Sequence, residues 1–555
     1  MEPRTEIQEA KALVDQMEVE RNRWKGEWSD LSSHIVPECG VFSFSESAAN
    51  SGRVDRSKIL DGHPSRVARD FAAGMQAVAT PKSRPWFRTG VQDLELMEYK
   101  PVKGWLKIVD DVLRFMFSQS NLYTVLPMSY LELGVFGSSS VAVLDSFSTV
   151  LRFRQFTIGE YMWGRNDEGA VDTFARQYWM TARQMVRAFG YDRVSGPVKD
   201  AYDNNRSENW FKVVHLVKPN DRPGKRSPFA KDKDFSSVYY EPDQKSFLLE
   251  TGFDYFPFLC PSSNRVGTRV YGYGLGSVAL PDVKSLYKLK SKLFLGVDKM
   301  VDPPVASSGD AKTSLVNTMP GGVSFDQSIQ GTGVSLRALY EVRPDLAGGG
   351  AMANELRDQI GSAFYHDLFL MLAMSDRREI TAREVAERHE EKLLMLSHLS
   401  EAIHSELLNP LIDVAFAKAV EHKLLPDPPR ELMGQDLKIE YIDLLTQAQK
   451  MVGITANEQL AGFVGNIAAL FPEARHKFNA FEAIDDYASR LGTVPAIIRT
   501  DDEANELAAA EQRQAAQKQM IEQAGQAAQS AKIMSETDVG GGNSALQALV
   551  GGMAQ

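Results

Sequence analysis

The chain has 555 residues, too many for one compact core, so about two to four domains are expected. A formal net charge of −11 argues against a surface that wraps nucleic acid, which needs clustered Lys and Arg. Cys39 and Cys260 are the only cysteines, which excludes a disulfide scaffold and a four-thiolate zinc site and points to a reducing compartment. Residues 5–36 read as a helix with Leu13, Met17, Trp24, Trp28, Leu31 and Ile35 on one side. A Ser/Gly-rich loop follows at 43–58, then a helix at 62–79 that ends at Thr80-Pro81. Arg84-Pro85-Trp86-Phe87-Arg88 begins an extended segment, and helices cover 102–118 and 122–134. From 138 to 270 the pattern is strand-rich, with strands at 139–144, 151–157, 160–163 and 170–179. Asp167-Glu168-Gly169 supplies the hairpin turn between the last two.

The centre has a symmetrical plan. A helix over 281–299 precedes an irregular Pro/Gly-rich segment, 301–349, and a second helix covers 352–373. This order predicts an antiparallel pair carrying a small β-type module at its tip. On the first helix Lys284, Lys288, Lys292 and Lys299 fall within a sector of about 80° and span about 22 Å. Val283, Leu286, Tyr287, Leu293, Phe294, Val297 and Met300 take the opposite side, with Lys290 among them. Such a ladder suits a phosphate backbone, and a merely solvated helix face is the competing reading. Arg377 and Arg378 follow, then Thr381 and Glu384 at capping-box spacing. A long amphipathic stretch runs on through Leu396, Leu399, Ile403, Leu407, Leu411 and Val414, with a kink expected at Asn409-Pro410. Leu437–Tyr441 reads as a strand, helices run to about 491, and 501–535 suits an oligomerised helix.

Enzyme readings find little support. In Gly272-Tyr273-Gly274-Leu275-Gly276 the third glycine comes one residue early for a dinucleotide fingerprint, so a turn into the following helix is expected. Gly309-Asp310-Ala311-Lys312-Thr313 lacks the glycine directly before lysine that a Walker A loop requires. His389, His398 and His404 lack the four-residue spacing of a helical zinc site, and the pairs Asp110-Asp111 and Asp485-Asp486 are expected to be solvated. No cofactor and no metal is expected. The richest apolar run, Phe364–Met374, is interrupted by His366 and Asp367, so no membrane span is expected, and the acidic N-terminus is unlike a signal peptide.

Several motifs in order carry a resemblance. They are Trp86-Phe87, Ser120-Asn121-Leu122-Tyr123, the Asp167-Glu168-Gly169 hairpin with Arg176 and Thr181-Ala182-Arg183-Gln184, and Thr381-Ala382-Arg383-Glu384-Val385. Glu406-Leu407-Leu408-Asn409-Pro410-Leu411 and Leu425-Pro426-Asp427-Pro428-Pro429 complete the series. Over roughly residues 20–510 the sequence resembles the portal proteins, or head-to-tail connectors, of short-tailed phages. The resemblance implies an α+β, predominantly α portal fold. Its parts would be a wing (1–280), a stem helix (281–300), a clip (301–350), a second stem helix (351–373) and a tunnel loop (374–380). A long wing helix (381–429), a crown (430–500), a C-terminal helix or barrel (501–535) and a disordered tail (536–555) would follow.

The resemblance further implies a homo-oligomeric ring, twelve-fold in family members, at one capsid vertex of the virion, made in the host cytoplasm. Such a ring passes double-stranded DNA during packaging and ejection. Its partners are the terminase large subunit, tail or adaptor proteins, and the major capsid and scaffolding proteins; no membrane is involved. Lys284, Lys288, Lys292, Lys299, Arg377 and Arg378 would face the channel, and no catalytic residue is implied. Two other readings are a core or tail-ring protein of the virion without DNA passage, and a nucleotide-dependent enzyme built on the segment near 272.

Overall fold

A computed structural model describes residues 6–42, 55–93, 96–97, 99–220, 232–243, 247–308, 316–326, 336–340, 343–374, 397–432, 434, 437–442, 454–471, 473, 477–491 and scattered positions from 504 to 532. It is helix-rich with several sheets, and contacts divide it into two units, 1–449 and 450–555.

In the first unit, α1 (Glu6–His34) buries Met17, Trp24, Trp28 and Leu31 of the predicted stripe, while Val14 is buried and the expected Leu13 only half-buried. Helices α2 (His63–Ala79), α3 (Lys100–Gln119) and α4 (Leu122–Phe136) pack their apolar faces into the same core. Helix α4 stops at Gly137, whose φ of 78° allows a left-handed cap. The strands are β1 (Phe87–Val91), β2 (Ser140–Ser146), β3 (Val150–Phe156), β4 (Tyr161–Arg165), β5 (Val171–Thr181), β6 (Trp210–Pro219), β7 (Phe235–Tyr240), β8 (Phe247–Phe253) and β9 (Phe258–Leu259). Strands β4 to β8 form a five-stranded antiparallel sheet in sequential order, and β3-β2-β9 form a second sheet. The predicted β4–β5 turn is present, with Gly169 at φ 84° and its N–H donating to the Asn166 carbonyl at 2.9 Å.

Two short helices interrupt the strand region: α5 (Ala182–Phe189) and α6 (Gly196–Asp203). The first is set by a reciprocal capping box between Thr181 and Gln184, a signal present in the sequence but not read as a helix start.

Helix α7 runs from Leu275 to Val301, beginning before Pro281 because glycines let its first turn press onto the end of α4. The expected single helix at 352–373 is instead two: α8 (Leu346–Ala363) and α9 (His366–Met374), broken at Tyr365 with φ 55°. A straight helix would place Phe364 and Phe369 about 140° apart. The break turns both onto Phe71, with ring centroids 6.4 and 5.8 Å away. Helices α7 and α8 pack side by side and antiparallel, since Leu293 lies beside Gly349 and Gly296 beside Pro344. Between them the chain forms a three-stranded sheet, β11-β10-β12, from β10 (Val305–Ser308), β11 (Val323–Asp326) and β12 (Leu336–Ala338).

Residues 375–396 lie outside the described residues, and with them all of the 374–380 tunnel-loop segment except Met374, the Thr381–Glu384 capping box and Leu396. Beyond them α10 (Ser397–Ile403) leads through a π turn (His404–Leu408) into α11 (Asn409–Glu421). Leu399, Ile403, Leu407, Leu411 and Val414 are buried on the predicted stripe. The expected kink takes the form of that π turn. The Asn409 N–H reaches the His404 carbonyl, so Pro410 begins a fresh first turn, where its missing N–H costs nothing.

A polar clamp holds the π turn. Glu406 accepts from both terminal nitrogens of Arg165 (2.8 and 3.3 Å) and from the N–H and hydroxyl of Ser262 (2.8 and 2.9 Å). Strand β13 (Leu437–Tyr441) pairs antiparallel with β1, so it belongs to the first unit. The second unit contains α12 (Ile454–Leu470) and α13 (Ala480–Leu491). No helix of the described residues is long and apolar enough to cross a membrane.

One carboxylate sits wholly inside the core. Glu132 of α4 accepts from the Thr157 hydroxyl at 2.5 Å, and burial pushes its pKa from 4.5 up to about 8. Between those values the folded chain holds a proton that the unfolded chain has released. The contribution of this carboxyl to stability is therefore fully present at acid pH and is lost as pH rises toward about 8, by at most about 1.4 kcal/mol per unit. The Glu132→Gln variant is expected to flatten that slope in denaturant titrations between about pH 5 and about pH 8. An unchanged slope would show that this carboxyl does not set it.

Candidate nucleic-acid interface

The predicted basic ladder lies on α7, and its members differ in what they touch. The Lys284 ammonium is 2.6 Å from the Asp30 carboxylate of α1. Lys299 donates to the Tyr340 hydroxyl at 2.9 Å, joining the end of α7 to the segment after β12. Lys288 and Lys292 are exposed, and neither makes an ion pair among the described residues. One turn apart, they leave two positive charges about 6 Å apart along the helix. Arg377 and Arg378 lie outside the described residues.

Lys290, the exception in the pattern, has a structural task. It reaches Asp61 at 3.2 Å, and the Arg357 guanidinium of α8 reaches the same carboxylate at 2.8 Å. Burial pulls the Asp61 carboxyl upward, but hydrogen bonds from the His63 N–H, Arg357 and Lys290 outweigh it and hold it below its ordinary value. One acid thus joins α7, α8 and the start of α2. The apolar side of α7 splits as well. Val283, Leu286 and Tyr287 are buried as expected, whereas Phe294 is 54% exposed and Met300 48%. The lower half of α7 therefore leaves apolar surface uncovered on the side away from the lysines.

The glycine run at 272–276 is a packing device. A Cβ on Gly272 would overlap the Ser263 carbonyl, and one on Gly274 or Gly276 would overlap that of Val135. The Gly272 N–H, which a phosphate loop would turn to its ligand, donates to the Ser138 hydroxyl at 3.2 Å. Gly309–Thr313 lies outside the described residues. Asp110 is buried rather than solvated, a correction to the expectation for the Asp110-Asp111 pair. It accepts from the Thr89 N–H and hydroxyl, each at 2.8 Å, to tie β1 to α3, and burial raises its carboxyl. His404 stacks flat on Tyr441 with ring centroids 4.0 Å apart. Cys39 and Cys260 are buried thiols whose ionisation burial pushes well up, so they are packing groups.

An antiparallel helix pair, a basic strip and a glycine run closed by its own backbone together define a scaffold-type subunit. The sequence pattern of the family described as "Bacteriophage head to tail connecting protein" matches residues 7–498. The "Probable portal protein" of Bordetella phage BPP-1 is 37% identical over 513 residues, covering 92% of this chain and 91% of that protein. The "Portal protein" of Salmonella phage epsilon15 is 37% identical over 538 residues, 96% of each. The chain belongs to the phage head-to-tail connecting proteins, a structural family, and is a portal-type component of the virion at the head–tail junction.

Proposed function

We propose that twelve copies form a ring at one capsid vertex and that double-stranded DNA passes through its channel. In this reading α7 and α8 with α9 are the stem, 301–350 is the clip, 374–380 is the tunnel loop and 430–500 contributes the crown. The observation that carries it is the antiparallel α7–α8 pair with a three-stranded module at one end. Repeated around an axis, such a pair walls a pore. The module exposes Val316, Met319, Val323 and Phe325, apolar surface suited to docking the terminase large subunit. Tail or adaptor proteins, major capsid protein and scaffolding protein are the other partners of a ring at this position.

Lys288 and Lys292 are the channel contacts this reading favours most, because neither makes an ion pair among the described residues. Lys284 is partly neutralised by Asp30, Lys299 keeps its charge while held by the Tyr340 hydroxyl, and Arg377 and Arg378 are assigned to the loop that narrows the channel. A net-acidic wall with a sparse basic strip lets DNA slide, since strong cationic contact would trap it. Negative-stain microscopy of the purified chain is expected to show rings with an axial hole of duplex width; discrete monomers under several salt conditions would overturn the reading. The Lys288→Glu, Lys292→Glu double variant should keep its rings but lower packaging or genome retention several-fold, most strongly at low salt. Loss of rings would instead make these lysines structural.

A further inference from the structure

A closed ring needs two different patches on each subunit that fit each other, because its contacts are heterologous. The first unit carries a knob and a hole. The β2–β3 hairpin ends in Phe147, whose side chain is wholly exposed at 111% of its reference area. Leu144 and Arg152, register partners just behind the tip, are also exposed, and Arg152 has no ion pair among the described residues. The tip is built rather than slack. Val150 holds a left-handed φ of 62°, unusual for a β-branched residue, and the Thr149 hydroxyl donates to the Leu151 carbonyl at 2.9 Å.

The hole is an apolar recess of about 620 Å³ between α3, α11 and β13, lined by Trp105, Leu113, Ile412, Phe416, Leu437 and Ile439. Asp413 lies at its rim, exposed and facing no cation among the described residues. Knob and hole lie on opposite sides of one helix. Lys418 of α11 pairs with Asp145 of the hairpin at 2.8 Å, and at 100° per residue it points roughly opposite to Ile412, Asp413 and Phe416. A hairpin on one side and a recess on the other is the layout that lets each copy fill the next.

We infer that Phe147, with Leu144 beside it, inserts into the α3–α11–β13 recess of the adjacent copy, where Arg152 meets that copy's Asp413. The inference rests on the ring proposed above. It commits to a second copy of this chain as the occupant because the charges complement one another: a cation and an acid, neither with an ion pair among the described residues, flank the knob and the hole.

The test is a Phe147→Cys, Ile439→Cys double variant, oxidised and run on a non-reducing gel; both native thiols are buried, so background crosslinking is low. A ladder of covalent multimers is expected. Arg152→Glu alone should lower the ring fraction several-fold, and Arg152→Glu with Asp413→Arg should restore it. Rings at full yield with Phe147→Asp, or only monomers after oxidation of the double-cysteine variant while it still forms rings, would overturn this contact while leaving the ring itself standing. If the unsubstituted chain forms no rings in any salt, both proposals fall.

Discussion

Replacing Glu406 by alanine is expected to be among the most damaging single changes in the first unit. The Arg165 side chain is buried, and its guanidinium is satisfied by Glu406 together with the Ser262 hydroxyl and the carbonyls of Gly169 and Val270, the last two at 2.6 and 3.0 Å. Removing the acid leaves a desolvated cation facing only neutral acceptors and strands the Ser262 N–H. Losing one partner of a buried pair costs about 3–5 kcal/mol, and the partial exposure of Glu406 places this case near about 3. The expected result is a clear drop in denaturant midpoint, with Glu406→Gln intermediate because its carbonyl still accepts from Ser262. A Glu406→Leu, Arg165→Leu double variant should lose less than the sum of the single changes, since no charge is left behind. Additive losses would mean that the clamp is not a coupled unit. The effect should reach the long helix, because Glu406 lies inside the π turn that joins α10 to α11.

Gly272→Ala is the second large effect. The added methyl would meet the carbonyl oxygens of Ser263 and Gly137, which are backbone atoms that cannot rotate aside. Overpacking against a movable side chain costs about 1–3 kcal/mol, and a backbone clash belongs at or above the top of that range. The variant should express poorly or unfold at markedly lower denaturant. Gly350→Ala serves as the control, because a Cβ there meets nothing within 4 Å and a helix interior favours alanine over glycine. Equal behaviour of the two would remove the close-approach account of the glycine run. If the run instead cradled phosphate, Gly272→Ala would abolish nucleotide binding while sparing the fold.

The helices were legible where an apolar stripe was long. Met17, Trp24, Trp28 and Leu31 repeat at helical spacing, and so do Leu399, Ile403, Leu407 and Leu411; both sets are buried. The hairpin at 166–170 was legible because few residues besides glycine accept the φ that Gly169 adopts. Helices α5 and α6 were not, because each is only two turns long and too short to show periodicity against strand-like neighbours. The break at Tyr365 was equally hidden. The local sequence reads as one apolar helix, and the contacts that favour two, Phe364 and Phe369 both on Phe71 of α2, come from far along the chain.

The basic ladder divides along the same line. Spacing alone put Lys284, Lys288, Lys292 and Lys299 on one face of a helix, and nothing in that spacing distinguished them. The tertiary structure did so by bringing Asp30 to Lys284 from 254 residues away and Tyr340 to Lys299 from 41 residues away. The sequence by itself therefore determined the family, the order of the elements and the faces that turn inward. Those depend on periodicity and local backbone preference, which each segment carries alone. Only the folded chain decided which charges are already satisfied, where α8 gives way to α9, and that a phenylalanine tip and an apolar recess lie on opposite sides of α11. Such facts depend on distances between residues far apart in the chain, and no local pattern encodes a distance.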